Sequence, residues 1–122
     1  MAIAPALGYT GPTMLIDAPE YHAHLYFEPE DHPAVTAIHA RALAEVAGKV
    51  WPIRSRPVGP HPCPMFEIEF NHAQRPAVLA WLEANRGAQD VLVHPVTGDD
   101  LVDHRDHATW LGNAHQLDFS RL

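Results

Sequence analysis

Cysteine occurs once in this chain, at Cys63, so no intramolecular disulfide can form and nothing points to an oxidising compartment. Positive charge is also scarce. Eight Lys and Arg stand against fifteen Asp and Glu, a formal net charge of −7 with the histidines neutral. Proteins that bind nucleic acid present a basic face, because phosphate neutralisation dominates that affinity; this balance argues against nucleic acid and against anionic membranes. No stretch approaches the ~20 apolar residues of a membrane span. Pro5, Gly8, Gly11 and Pro12 interrupt the first fifteen residues, where a secretory signal would carry its apolar centre. A Gly-rich phosphate cradle, a nucleophile elbow and a Cys-x-x-Cys pair are all missing, which leaves nucleotide cofactors and serine-type hydrolysis without support. The expectation is a cytoplasmic protein whose partner is a small molecule or a second copy of itself.

What is present is a chain of 122 residues, 47% hydrophobic, enough for one folded domain over residues 1–122. Residues 1–19, rich in Gly, Pro and Ala, read as an irregular arm, packed through Met14, Leu15 and Ile16. Tyr21 to Phe27 alternates as a strand. A helix follows from Pro33, capped by Asp31 or His32, with Val35, Ile38, Ala42, Leu43 and Val46 at helical spacing and a stop at Gly48. Val50 to Arg56 is predicted as an edge strand weakened by Pro52, then a four-proline loop reaches Met65 to Phe70, a third strand. Pro76 to Asn85 predicts a second helix and Asp90 to His94 a fourth strand. Asp103 is predicted to cap a short helix running through Trp110 and Leu111 to Gly112, with a weak edge strand over His115 to Ser120. The order β-α-β-β-α-β is the ferredoxin-like arrangement: α+β, an antiparallel sheet with two helices on one face, here followed by a C-terminal extension.

Histidine is abundant, ten in the chain, and four of them fall where strand periodicity can aim them together. On the first strand Tyr21, Ala23, Leu25 and Phe27 suit the helix-covered face, which sends His22, His24 and Tyr26 to the other. Phe66, Ile68 and Phe70 likewise leave Met65, Glu67 and Glu69 opposite, and Val91 with Val93 leave Leu92 and His94 opposite. Because this topology places the first strand between the third and the fourth, His22, His24, Glu67 and His94 collect on one face. His61, in the loop Gly59-Pro60-His61-Pro62, can fold over it. Several imidazoles with one carboxylate suit iron(II), zinc or manganese. For Glu67 a site role and a solvated strand face are both open; for Glu69 the solvated face is expected. His32, His39, His72 and His115 are read as cap, helix-surface or turn residues. Asp103-His104 resembles an oriented acid/base couple, but a cap followed by a first-turn histidine is the expected reading; Cys63 could coordinate beside His61 but is read as a packing residue.

The stretches Tyr21-His22-Ala23-His24-Leu25-Tyr26-Phe27, Pro57-Val58-Gly59-Pro60-His61-Pro62, Met65-Phe66-Glu67, Val93-His94-Pro95-Val96-Thr97-Gly98, Asp103-His104 and Trp110-Leu111-Gly112 occur in the order found in the DOPA 4,5-dioxygenase family, which the chain resembles from Glu20 onward. The resemblance implies a ferredoxin-like extradiol ring-cleaving dioxygenase that uses non-haem iron(II), with zinc or another divalent metal as a substitute, on a catechol such as DOPA with dioxygen. It carries His24, His61 and His94 over as metal ligands, with His22 beside them. His22 is then the acid/base residue, and Glu67 an alternative ligand or an orienter of one. Arg54 or Arg56 could hold a substrate carboxylate. The competing expectation is a non-catalytic ferredoxin-like homodimer that binds a metal or a small molecule on the same face.

Overall fold

Alternation of large apolar side chains with histidines makes one strand the organiser of the sheet. The computed structural model describes residues 9–10 and 15–122. A two-residue strand β1 (Tyr9–Thr10) precedes the long strand β2 (Glu20–Tyr26). Helix α1 (His32–Glu45), strands β3 (Lys49–Val50) and β4 (Met65–Asn71), and helix α2 (Arg75–Asn85) follow. Strand β5 (Val91–Pro95), helix α3 (Asp100–Arg105) and strand β6 (Thr109–Leu111) complete the order. The strands lie as β1-β6-β5-β2-β4-β3, every pairing antiparallel. Within it, β2-α1-β3-β4-α2-β5 is the expected ferredoxin-like unit, with β2 between β4 and β5.

Helices α1 and α2 cover one face. Val35, Ile38 and Ala42 of α1 and Val78 and Leu82 of α2 are buried against Tyr21, Ala23, Leu25, Phe66, Ile68, Phe70, Val91 and Val93. Both helices open on a proline in the first turn, where a missing N–H costs nothing. Asp31 is at the N-cap of α1 but its side chain makes no capping bond, so proline rather than a side-chain cap sets that start. Gly48 turns the chain from α1 into β3 at φ +155°, where an added Cβ would lie 2.7 Å from the Glu69 carbonyl oxygen. No described helix is long and apolar enough to cross a membrane.

Several predicted elements differ from those observed. The strand expected over Val50 to Arg56 is reduced to Lys49–Val50 and an isolated bridge between Arg54 and Met65, because Pro52 has no N–H to continue the ladder. The short helix begins at Asp100, not after Asp103; Asp99 is its cap, accepting from the Val102 N–H. It ends at Arg105, so Trp110 and Leu111 are not helical. They belong to β6, which pairs with β5 and completes the ladder that β5 would otherwise expose. The edge strand expected over His115 to Ser120 is instead irregular chain with a 3-10 turn at Phe119–Arg121. Within the expected N-terminal arm, Tyr9–Thr10 is a strand paired with β6, Leu15 packs on the helix-side core, and Met14 lies outside the described residues.

The second sheet face is not left open. Tyr26, Met65 and Leu92 meet Cys63, Ala108, Trp110 and Leu117 in a smaller apolar cluster, so the proline loop and the C-terminal tail roof part of it. The Asp118 N–H donates to the Pro60 carbonyl (2.9 Å) and joins the two coverings.

Candidate metal centre

The antiparallel register decides which side chains meet. His22 stands opposite His94 on β5 and Glu69 on β4, and His24 stands opposite Leu92 and Glu67. His24 and His94 are buried, with their Nε2 atoms 3.1 Å apart. His61 arrives from the proline loop, its N–H donating to the Val58 carbonyl and its Nδ1 lying 2.6 Å from the Tyr26 hydroxyl oxygen. Its ring centroid is 4.1 Å from that of His24.

A fourth imidazole comes from α3. The Thr97 N–H and hydroxyl donate to Asp103 (2.8 and 2.6 Å), fastening the helix to the end of β5. His104 then lies with its ring 4.0 Å from that of His94, and its Nδ1–H donates to the Asp100 carbonyl. Donor atoms of His22, His24 and His94 all lie within 4.8 Å of one another, as do those of His24, His61 and His104. His24 is common to both groups.

The centre holds His24, His61 and His94 neutral. Burial, and then His104, push His94 down to about 3. Burial, then His104 and His22, push His61 down to about 4. Burial, followed by His61 and His94, holds His24 well below the ordinary range for histidine. Neutral imidazole is the ligating form. Burial also raises the Tyr26 hydroxyl, which stays a phenol beside His61. Burial raises the Glu67 carboxyl, with Glu69 adding to it and His22 and Arg54 opposing.

Hydrogen bonding tests whether a cation fits. The His94 Nδ1–H donates to the Pro95 carbonyl (2.8 Å), which leaves a lone pair on Nε2. For the 3.1 Å contact to be a hydrogen bond, His24 must donate from its own Nε2. Its Nδ1 lone pair then faces Glu67 Oε1 at 3.7 Å, and that buried nitrogen has no hydrogen-bond partner. A cation taking both Nε2 lone pairs removes the conflict, since His24 Nδ1–H would then point at the carboxylate. His104 has Nδ1 engaged in the same way and Nε2 left over, and His61 keeps its Nε2 lone pair when its Nδ1–H donates to the Tyr26 hydroxyl oxygen. The donor set suits a borderline divalent metal, with the Glu67 carboxylate 3.7 Å from His24 Nδ1 beside it.

Residues 21–121 match the Dopa 4,5-dioxygenase family. The chain belongs to that family. It is 31% identical to DOPA 4,5-dioxygenase of Amanita muscaria over 112 residues, 84% of this chain and 49% of the relative. It is 40% identical to an uncharacterised 21.2 kDa protein of Botryotinia fuckeliana over 80 residues, 59% of this chain and 44% of the other. The chain thus spans about half the length of the curated relatives it matches. Its fold resembles the crystal structure of a candidate dioxygenase from Nostoc punctiforme, with TM-score 0.80 and 32% identity, covering 89% of this chain and 95% of that one.

Of the ligand set that the resemblance implies, the structure groups His24 and His94 with His22, and His24 and His61 with His104, so that His61 and His94 share His24 but no single donor group among the described residues. The His22 side chain is 25% exposed, and its Nε2 is 3.7 Å from both Glu67 and Glu69. Glu69 is not merely solvated, because it also accepts from the Trp51 indole N–H at 2.8 Å. A cleft of about 390 Å³ opens beside His61 and Glu67, walled by Trp51, Val58, Pro60 and Met65. Arg54 lines it and Arg56 does not. Cys63 belongs to neither donor group; it is buried with its thiol 3.8 Å from Glu28 and 3.9 Å from His115 Nδ1, and is raised by burial and by the Glu28 carboxylate. His39 bonds the Trp51 carbonyl and His115 bonds Asp90. His104 is the residue that sequence reasoning missed. Taking Asp99, after the Thr97-Gly98 turn, as the helix cap would have moved His104 into the last turn of α3, over the end of β5.

Proposed function

We propose that this chain is an extradiol ring-cleaving dioxygenase acting on a catechol such as DOPA, with iron(II) held by His24, His61 and His94 and with His104 as a further donor. The observation that carries this reading is the imidazole cluster, built on buried His24, His61 and His94, that reaches a small-molecule cleft through His61 in a chain of the Dopa 4,5-dioxygenase family. Iron(II) bound there would supply a Lewis-acid and redox centre able to accept both oxygens of a vicinal diol and dioxygen.

The chain's own residues perform the remaining tasks. Trp51, Val58 and Met65 exclude water from one side of the cleft and offer apolar surface to an aromatic ring. His22, at the exposed rim, takes the catechol proton at Nε2, and Glu67 and Glu69, each 3.7 Å away, stabilise the imidazolium that forms. With a metal on Nε2, His24 would carry its proton on Nδ1, 3.7 Å from Glu67, whose carboxylate would favour that tautomer.

The test is oxygen uptake by anaerobically purified, iron-loaded protein given DOPA, caffeate, protocatechuate or catechol. A coloured muconic semialdehyde-type product is expected, with no reaction of the corresponding monophenols. Tight metal binding that raises thermal stability, without oxygen uptake on any catechol, would overturn the enzymatic reading in favour of a metal-binding module.

A further inference from the structure

The wall of the cleft beside His61 and Glu67 is apolar except at one point. Trp51, Pro52, Val58, Pro60 and Met65 supply hydrocarbon, and Arg54 supplies the one cation among the residues that line it. Its backbone is fixed there by two hydrogen bonds, Arg54 N–H to the Met65 carbonyl (2.8 Å) and Met65 N–H to the Arg54 carbonyl (3.0 Å). Its guanidinium makes no ion pair or hydrogen bond among the described residues, although acidic residues outnumber basic ones fifteen to eight. Arg75, Arg86 and Arg105 each have a carboxylate partner. Arg41, Arg56 and Arg121 also lack an ion pair among the described residues, but none of them lines this cleft. Beside Arg54, Trp51 is immobilised from two sides: its indole N–H donates to Glu69 (2.8 Å) and its carbonyl accepts from His39 (2.8 Å).

The Arg54 charge acts on Glu67 across the cleft, but the two make no ion pair. Glu67 lies within ion-pair range of His22 and His24, and Glu69 of His22. They give that side of the cleft a negative field which would repel an anionic ligand lacking a cation of its own to meet. A guanidinium without an ion-pair partner, on a backbone anchored beside an apolar wall, is a group that a carboxylate reads through two parallel hydrogen bonds.

We propose that Arg54 is the specificity-determining residue of this cleft, the group that favours a catechol bearing a carboxylate arm over its neutral counterpart; the proposal rests on the dioxygenase reading of the imidazole cluster. The ring is seated against Trp51 with its diol toward His61 and His24, and the arm reaches outward to Arg54. Neutral catechols fit the same wall but leave Arg54 unused.

The experiment compares 3-(3,4-dihydroxyphenyl)propanoate with its methyl ester, on iron-loaded wild type, Arg54→Ala and Arg54→Lys. Wild type should prefer the acid in kcat/KM. Arg54→Ala should reduce the acid-to-ester preference about 10–100-fold, mostly through KM, as loss of a charge-assisted contact does. Arg54→Lys should recover part of it, since a point charge lacks the two-pronged fit. Anaerobic calorimetric titration of both ligands into the same metal-loaded proteins gives the preference without turnover. An acid-to-ester ratio in binding that changes less than threefold in Arg54→Ala overturns the proposal. If wild type turns over neither compound yet binds the acid through Arg54, the dioxygenase reading fails and the assignment of Arg54 stands.

Discussion

The two faces of the same sheet do opposite work. On the helix side, Tyr21, Ala23 and Leu25 join Phe66, Ile68, Val91 and Val93 in one continuous apolar core. On the other side the same three strands present His22, His24, Glu67 and His94, and only the flank beside them is closed by a second, smaller cluster around Tyr26, Leu92 and Trp110. Adjacent residues of β2 therefore serve different ends. Strand geometry makes this possible, because successive side chains project to opposite faces without any change in the backbone. The comparison teaches that cohesion and chemistry can be altered separately in this protein, and each of the following measurements would break or sharpen that separation.

The largest contrast is between neighbours. His24→Ala should lower metal affinity by about a hundredfold or more, since it removes the imidazole shared by both donor groups. Leu25→Ala, one position along, should cost about 2–5 kcal/mol of stability and leave metal bound per folded molecule unchanged. Metal titration and urea unfolding of both variants check this. If His24→Ala proves the less stable of the two and Leu25→Ala the poorer metal binder, the separation of faces fails.

Acid should act through the histidine face. Unfolded histidines take up protons near 6.5, whereas folded His61 does so near 4 and His94 near 3. Between those values the unfolded state binds more protons, so metal-free protein should lose stability as pH falls from about 6.5 towards about 3. Above about 6.5 these two groups should contribute no pH dependence. Denaturant midpoints across the range measure it, and His61→Ala should flatten the slope. A midpoint that is constant from pH 7 to pH 4 would contradict the neutral-cluster account.

His104 is a smaller and sharper test. His104→Ala should weaken metal binding about 10–100-fold with little change in unfolding midpoint, and His107→Ala should leave affinity near wild type. Equal effects of the two would remove α3 from the centre. Smallest is Trp51→Phe, which deletes the indole bond to Glu69 at the rim and should cost about 0.5–1.5 kcal/mol, read from the same unfolding curves.

Much of this was legible beforehand because two-residue periodicity is strong in β2 and β4. Once Tyr21, Ala23 and Leu25 are assigned to the core, His22 and His24 have one place to go, and the order of strands and helices then sets β2 between β4 and β5. His61 was readable only as a possibility, since a proline loop carries no period; the Tyr26 hydroxyl and the Val58 carbonyl fix where it lands. The region after Thr97 was misread. Asp99 and Asp103 are both plausible caps by residue type, and the choice between them rests on Thr97 donating twice to Asp103, a contact between segments six residues apart.

By itself the sequence determined the ferredoxin-like element order, the apolar face of each long strand and the shared face of His22, His24, Glu67 and His94. Those properties follow from local periodicity, which is written in consecutive residues. Only the tertiary structure decided that Trp110 and Leu111 extend the sheet, that the tail and proline loop roof its second face, that His104 completes the imidazole cluster and that Arg54 rather than Arg56 lines the cleft. Each of these depends on a partner distant in the chain: an unpaired strand edge, a buried carboxylate or a facing backbone carbonyl. Short irregular segments have too little pattern of their own to choose a conformation, so their position is set by the groups they find when the sheet is already in place.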